Sequence, residues 1–415
     1  MSVIFILVLC SLIILAYLFE ITLAKFRIPS VIFLLFLGWT VRKIALYYDM
    51  VIPDLSGALA ILGTVGLILI VLEGAMELEL NKKKFTIVKK SFIVALFPML
   101  GLAIITALLI HFIWGYDFYQ SLGNIIPIAV ISSSVAIPSA KSLSSYNREF
   151  VVYESSMSDI MGVILFNFIS LNAAFSMNSV GHFFIEIAGI IVISFVATLL
   201  LSYLLGKIEH EVKFVPIIVL TILIYEISKL FHLPSLVFIM VFGLFLANLD
   251  ELKFIKGIEF LKPVSLNKEV ARFLGMTKEL TFLIKTLFFL LFGFLIKSSE
   301  LFNTETLILS IAITLLMYVL RYLQLRISKL PVTPLLFVAP RGLITVLLFL
   351  SIPVSMRLPL VNNSMIIQII VLTGLIMMFG LMATGKEQNP QEEEVAKENN
   401  QEDNMVDLPA PPTVE

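Results

Sequence analysis

Stretches of 18 or more predominantly apolar residues recur from Ser2 to Leu381, and nothing else constrains the fold of this chain as strongly. A segment crossing a bilayer must satisfy its own backbone hydrogen bonds, which a helix does from within. Hydrophobic residues make up 59% of the 415 and charged residues only 14%, more apolar surface than a soluble core of this length requires. The expected class is all-α: a polytopic membrane protein in contact with the lipid bilayer.

A window of about 19 residues yields thirteen candidate helices: 2–24, 28–47, 57–80, 90–114, 122–145, 151–175, 180–206, 214–231, 234–250, 279–297, 303–328, 332–354 and 361–383. Charge tests this division. If the segments alternate across the membrane, the loops after segments 1, 3, 5, 7, 9 and 11 share one side and hold 20 Lys or Arg. The loops on the other side hold 5: Arg42, Lys43, Lys229, Lys297 and Arg357. The excess marks the cytoplasmic side. The amino terminus is then outside and the carboxyl terminus cytoplasmic, as in a bacterial-type inner or plasma membrane. The first apolar run lacks a basic n-region and a small-residue cleavage site, so it reads as a retained span. Cys10 is the single cysteine, which excludes an intramolecular disulfide and a thiolate cluster. After Thr384 the chain turns polar and acidic, giving a transmembrane domain over 1–384 and a disordered cytoplasmic tail over 385–415. No nucleotide-binding fingerprint or Walker lysine occurs, and neither a cofactor nor a nucleic-acid partner is expected.

Two of the apolar segments interrupt their own helical pattern. Segment 5 contains Ser132-Ser133-Ser134-Val135-Ala136-Ile137-Pro138, and segment 12 contains Pro331, Pro334 and then Pro340-Arg341-Gly342. Proline removes a backbone donor, and the freed carbonyls need side chains, water or an ion. Segments 5 and 12 are an odd number apart, so they run in opposite senses. Inverted-topology repeats over approximately 1–175 and 214–383, with two discontinuous helices crossing near the midplane, would place them so. The plainer alternative is that these prolines kink ordinary packed helices.

Asp159 stands near the start of segment 6, and an ionisable group at that depth is costly and functional by default. Burial penalises a bare carboxylate, so a proton and a small hard cation compete for it. Sodium prefers oxygen ligands, which Asp159, Ser158, the Ser133 and Ser134 hydroxyls and the unwound carbonyls of segment 5 can supply. The alternative is a carboxylate that caps a helix or pairs with a lysine. Glu154 lies five residues earlier, at another height on the same helix, which favours a separate duty. Arg341 beside the second break is its expected partner in a structural ion pair, and Arg321 in segment 11 is the competitor. Glu73 and Glu77 share a helical face, with Glu73 deeper and placed to line an ion path or brace the bundle. Glu20, Glu226, Lys285 and the four histidines read as structural or segment-end residues, and Gly293 in its Phe-rich stretch as a site of close helix packing.

Three stretches together resemble the monovalent cation:proton antiporters, most closely the NhaP-type sodium/proton exchangers. They are Leu72-Glu73-Gly74-Ala75-Met76-Glu77-Leu78-Glu79-Leu80, the run from Glu154 to Phe166, and Ala339-Pro340-Arg341-Gly342-Leu343-Ile344-Thr345. In that family the transport site is an Asn-Asp or Asp-Asp pair, matched here by Ser158 and Asp159. A Thr-Asp-Pro sequence at the first break is replaced by Ser134-Val135-Ala136 with Pro138 displaced. The resemblance implies a secondary antiporter, not an enzyme, exchanging protons for a monovalent cation such as Na⁺ in pH homeostasis. It also implies a homodimer and a glutamate–arginine pair. With uncharged Ser158 before Asp159, one-for-one electroneutral exchange is expected. Two rivals are an organic-anion symporter on a similar scaffold, for which Arg341 would be the binding group, and a non-transporting scaffold or sensor.

Overall fold

A computed structural model of the chain describes Leu7, residues 10–19, Thr22 and residues 30–49, 55–78, 84–140, 143–171, 177–208, 213–230, 235–249 and 263–384. Among them every regular element is a helix and no strand occurs. In chain order these are α1 (Cys10–Phe19), α2 (Ser30–Tyr47), α3 (Ser56–Met76), α4 (Phe85–Trp114), α5 (Phe118–Ala129), α6 (Ser133–Ser139), α7 (Ser145–Leu171) and α8 (Met177–Lys207). Then follow α9 (Phe214–Leu230), α10 (Ser235–Ala247), α11 (Pro263–Leu295), the single turn α12 (Ser298–Leu301), α13 (Thr304–Ile327), α14 (Leu343–Leu350) and α15 (Asn363–Ala383).

Each of the thirteen intervals marked in the sequence contains helix. By length and apolarity, 6 helical stretches are sufficient to cross a bilayer: Ser30–Tyr47, Gly57–Met76, Phe85–Trp114, Phe118–Ser139, Thr304–Ile327 and Asn363–Ala383. The acidic tail over 385–415, Glu20, Glu79, His210, His232 and most of the basic loop over 250–262 lie outside the described residues.

Packing divides the helices into two lobes. One is formed by α2, α3 and α8 to α11, and the other by α4 to α7 with α13 to α15. In the first, α2 and α11 approach through glycines, since a Cβ on Gly293 would lie 2.4 Å from the Leu35 carbonyl oxygen and one on Gly38 would lie 2.2 Å from that of Leu290. Gly293 thus does what its place in the Phe-rich stretch predicts. The lobes meet where α3 packs on α7 and α14, and where α10 packs on α7. Val71, Ile160, Val163, Ile164, Leu236, Val237 and Met240 surround a small apolar gap at this seam. Large apolar side chains such as Phe36, Phe97, Phe112, Leu315 and Phe379 point outward, as a lipid-facing surface requires.

Candidate functional site

Both predicted breaks occur, and they cross. Asp117 caps the start of α5, its side chain accepting from Gln120 N at 2.9 Å. The helix stops at Ala129, Val130 and Ser132 are extended, and α6 resumes at Ser133. Segment 12 is interrupted more deeply: a compact turn over 333–337 and an irregular stretch precede α14, which begins only at Leu343. Ser132 N donates to the Pro340 carbonyl at 3.0 Å, tying one break to the other. Gly342 permits the contact, because a Cβ there would lie 2.7 Å from Ser132 Oγ and 2.8 Å from Val135 Cγ2.

A broken helix leaves carbonyls at one end and N–H groups at the other, and buried ones need partners. The N–H groups of 131–133 can be followed one by one. Ile131 N donates to Ser158 Oγ at 2.9 Å, Ser132 N to Pro340, and Ser133 N to Asp159 Oδ2 at 3.3 Å. Ser133 Oγ also donates to Asp159 Oδ2 in a short hydrogen bond. The Asp159 carboxylate therefore meets the positive end of α6, where a negative charge is favoured. Gly162, one turn on, allows α7 to come this near: a Cβ there would lie 2.2 Å from Val130 Cγ2. The carbonyl end of the break is met by a cation. Arg341 donates to Ile128 O at 2.7 Å, Ala129 O at 3.0 Å and Ala339 O at 2.8 Å, while its own N–H goes to Thr373 Oγ1 at 3.1 Å.

This placement corrects the expected ion pair. Glu154 is bound not by Arg341 but by Arg321, whose Nη2 donates to Glu154 Oε2 at 2.9 Å and whose Nη1 makes a short bond to Oε1. Arg321 also donates to Leu335 O at 2.8 Å and Val338 O at 3.0 Å, carbonyls freed by the second break. The reason is depth. Arg341 sits at the crossing, level with the ends of α5, whereas Glu154 is five residues, about 7.5 Å of helix rise, from Asp159. Arg321 lies six residues before the end of α13 and reaches Glu154 without leaving the lobe.

Of the other predicted residues, Ser133 joins Asp159 directly, and Ser158 touches the break through Ile131 rather than through the carboxylate. Ser134 turns instead to Ser132, with their hydroxyl oxygens 3.0 Å apart. Glu73 faces α11 within electrostatic reach of Lys285, where it helps brace α3 against α11. Glu77 forms an ion pair with Lys278 at 2.6 Å. Two features went unanticipated. Asp159 Oδ1 is buried without a hydrogen-bond partner, and so is the hydroxyl of Ser156. Ser156 could have been found from spacing alone, since residues three apart share a helical face.

The transmembrane sodium/hydrogen exchanger family matches residues 9–384, nearly the whole described chain. The chain belongs to the sodium/hydrogen exchanger family. It is accordingly an integral membrane cation:proton antiporter by family, and a transporter, not an enzyme. No curated protein sequence matches it. Among solved structures this exchanger is similar to the sodium proton antiporter MjNhaP1 from Methanocaldococcus jannaschii at pH 8, with a TM-score of 0.71, 18% identity and 91% of this chain aligned to 100% of that one. An electron-microscopy map of the same antiporter aligns with a TM-score of 0.66 and 18% identity over 94% of this chain and 99% of that one. At such identity the likeness is one of fold.

Proposed function

We propose that this exchanger moves a monovalent cation, Na⁺ first among them, against protons by alternating access, with Asp159 as the shared binding group. The observation that carries the proposal is the asymmetry of that carboxylate. One oxygen is fixed by Ser133 at the start of α6, and the other is buried and unpartnered. A buried oxygen in that state is stabilised by a proton or by a cation, and the two exclude each other. The group lies on the face of α7 near the seam between the lobes, where relative movement of the lobes would expose it to one side at a time. Family membership supports the cation and proton as cargo.

The rest of the proposal follows from charge. One carboxylate carrying either one proton or one monovalent cation gives electroneutral exchange. The two arginines nearest the crossing, Arg341 and Arg321, are already bonded to carbonyls or to Glu154, which leaves little to bind an organic anion. The distribution of basic residues in the loops supports an outside amino terminus and a cytoplasmic tail in a plasma membrane. Repeats over approximately 1–175 and 214–383, and a homodimer, belong to the same proposal. No cofactor enters it. Proteoliposomes with an internal pH dye test the reading: Na⁺, Li⁺ and K⁺ added in turn should include at least one that drives proton movement. Silence with all three, from folded protein, would end it.

A further inference from the structure

We infer that Asn124 is a positioning residue for transport, one that fastens the two broken helices together at their outer ends so that they move as a single piece. Its role rests on the alternating-access reading above. At the crossing, segments 5 and 12 are joined by Ser132 N to the Pro340 carbonyl and by Arg341 to the carbonyls of Ile128 and Ala129. A single junction leaves a pivot. α5 has 12 residues and α14 has 8, and helices shorter than about 12–15 residues depend on their neighbours to stay in place. A second junction fixes their relative orientation, and Asn124 supplies it five residues before Ala129, about 7.5 Å along the helix axis.

The Asn124 side chain is buried, and its amide is used on every side. Nδ2 donates to the Met356 carbonyl at 2.7 Å and to Gln120 O of its own helix at 2.9 Å, while Oδ1 accepts from Leu358 N at 3.1 Å. A primary amide donates and accepts at once, which neither a leucine nor an ionised aspartate does. Met356 and Leu358 belong to the strap over 351–362 that leaves α14 on the side away from the basic loops. The strap is tied to α14 in turn. Arg357 donates to Leu350 O and Ile352 O, each at 3.0 Å, and so closes the carbonyl end of α14 with a cation. Gln120 Nε2 adds a longer bond to Ser355 O at 3.5 Å. The chain of contacts runs from α5 through Asn124 to the strap, and from the strap through Arg357 to α14. None of the Asn124 bonds reaches α6 or Asp159, so the junction governs how the broken helices travel rather than how the cargo is held.

The test compares Asn124→Ala with Gln368→Ala in the full-length exchanger. Gln368 of α15 is a matched control: it is buried, donates to Leu301 O at 3.3 Å and Asn303 O at 2.9 Å, accepts from Ser310 Oγ at 3.0 Å, and touches neither broken helix by these bonds. Both variants should lower the melting temperature in detergent. Asn124→Ala alone should lower the maximal exchange rate, about tenfold or more, with the half-saturating cation concentration unchanged. Full-rate exchange by Asn124→Ala overturns the role, and so does an equal fall in rate in both variants, which would trace the loss to stability. A second measurement leaves the buried amide in place. With the lone Cys10 replaced by alanine, Gln120→Cys and Ser355→Cys are joined by a short, reducible bis-methanethiosulfonate linker. If α5 and the strap travel together, exchange continues at its full rate while they are linked. A rate that falls on linking and returns on reduction means that they separate during transport, and overturns the inference. Silence from the unaltered protein with every cation removes the exchange reading itself, and this inference with it.

Discussion

Glu154 and Asp159 are both buried carboxylates on α7, five residues apart, yet their surroundings differ in kind. Glu154 has both oxygens bound by the Arg321 guanidinium, which is itself locked to the carbonyls of Leu335 and Val338. Among the described residues Asp159 has no basic partner. One of its oxygens rests on Ser133, and the other is bound to nothing. A charge compensated on every side costs much to disturb and has no reason to change its ligands, so it suits the task of holding a broken element in shape. A charge left half-compensated does have such a reason. The same distinction separates Arg341, spent on three carbonyls, from the open face of Asp159.

The largest effect should come from the open carboxylate. Asp159→Asn keeps the shape of the side chain and still accepts from Ser133, so the protein should fold and reach normal levels in the membrane. It has lost the titratable charge, and cation-driven proton movement should vanish entirely. Vesicles containing correctly folded Asp159→Asn that still restore dye fluorescence on Na⁺ addition would erase the contrast between the two carboxylates.

Glu154 should respond in stability first. Removing one member of a buried pair leaves the other uncompensated, at a cost of roughly 3–5 kcal/mol. Arg321→Met should cost more than Glu154→Gln, because it also orphans the Leu335 and Val338 carbonyls, whereas the glutamine variant leaves Arg321 bonded to both. Melting curves in detergent should show the double variant recovering part of the Arg321→Met loss, because the glutamate left uncompensated in that variant is gone. Strictly additive losses would mean that the two groups act independently, and the ion pair would explain nothing.

The apolar runs specified the helices, and the serine and proline clusters specified where two of them break, because both signals are local. Asp159 was legible for a similar reason: a lone carboxylate in an apolar run is conspicuous without any knowledge of its neighbours. The partner of Glu154 was not legible. Proximity of Arg341 to a break suggested a pairing, but the choice between two arginines depends on relative depth and on which carbonyls each break sets free, and those are tertiary facts. Ser134 could not be told from Ser133 on the same grounds. Three consecutive hydroxyls look equivalent in sequence, and the turn into α6 sends one to Asp159 and another to Ser132.

The smallest expected effect is no effect at all, and it sharpens the contrast from the other side. If Asp159 is the only carboxylate that trades proton for cation, each half-cycle carries the same charge and the whole cycle carries none. Glu154 is excluded by its arginine, and Glu73 is the remaining deep carboxylate, within electrostatic reach of Lys285 on α11. A potential of about 100 mV would bias a cycle moving one net charge by roughly 2.3 kcal/mol, which shifts the final ion gradient about fiftyfold. For an electroneutral cycle the final Na⁺ and proton gradients should coincide with and without a clamped potential. A set point that follows the voltage would mean that a second acidic group titrates during transport. Glu73→Gln would then be the informative variant: if it restored voltage independence, the bracing of α3 against α11 would be part of the transport cycle, and Asp159 would not be the sole open carboxylate.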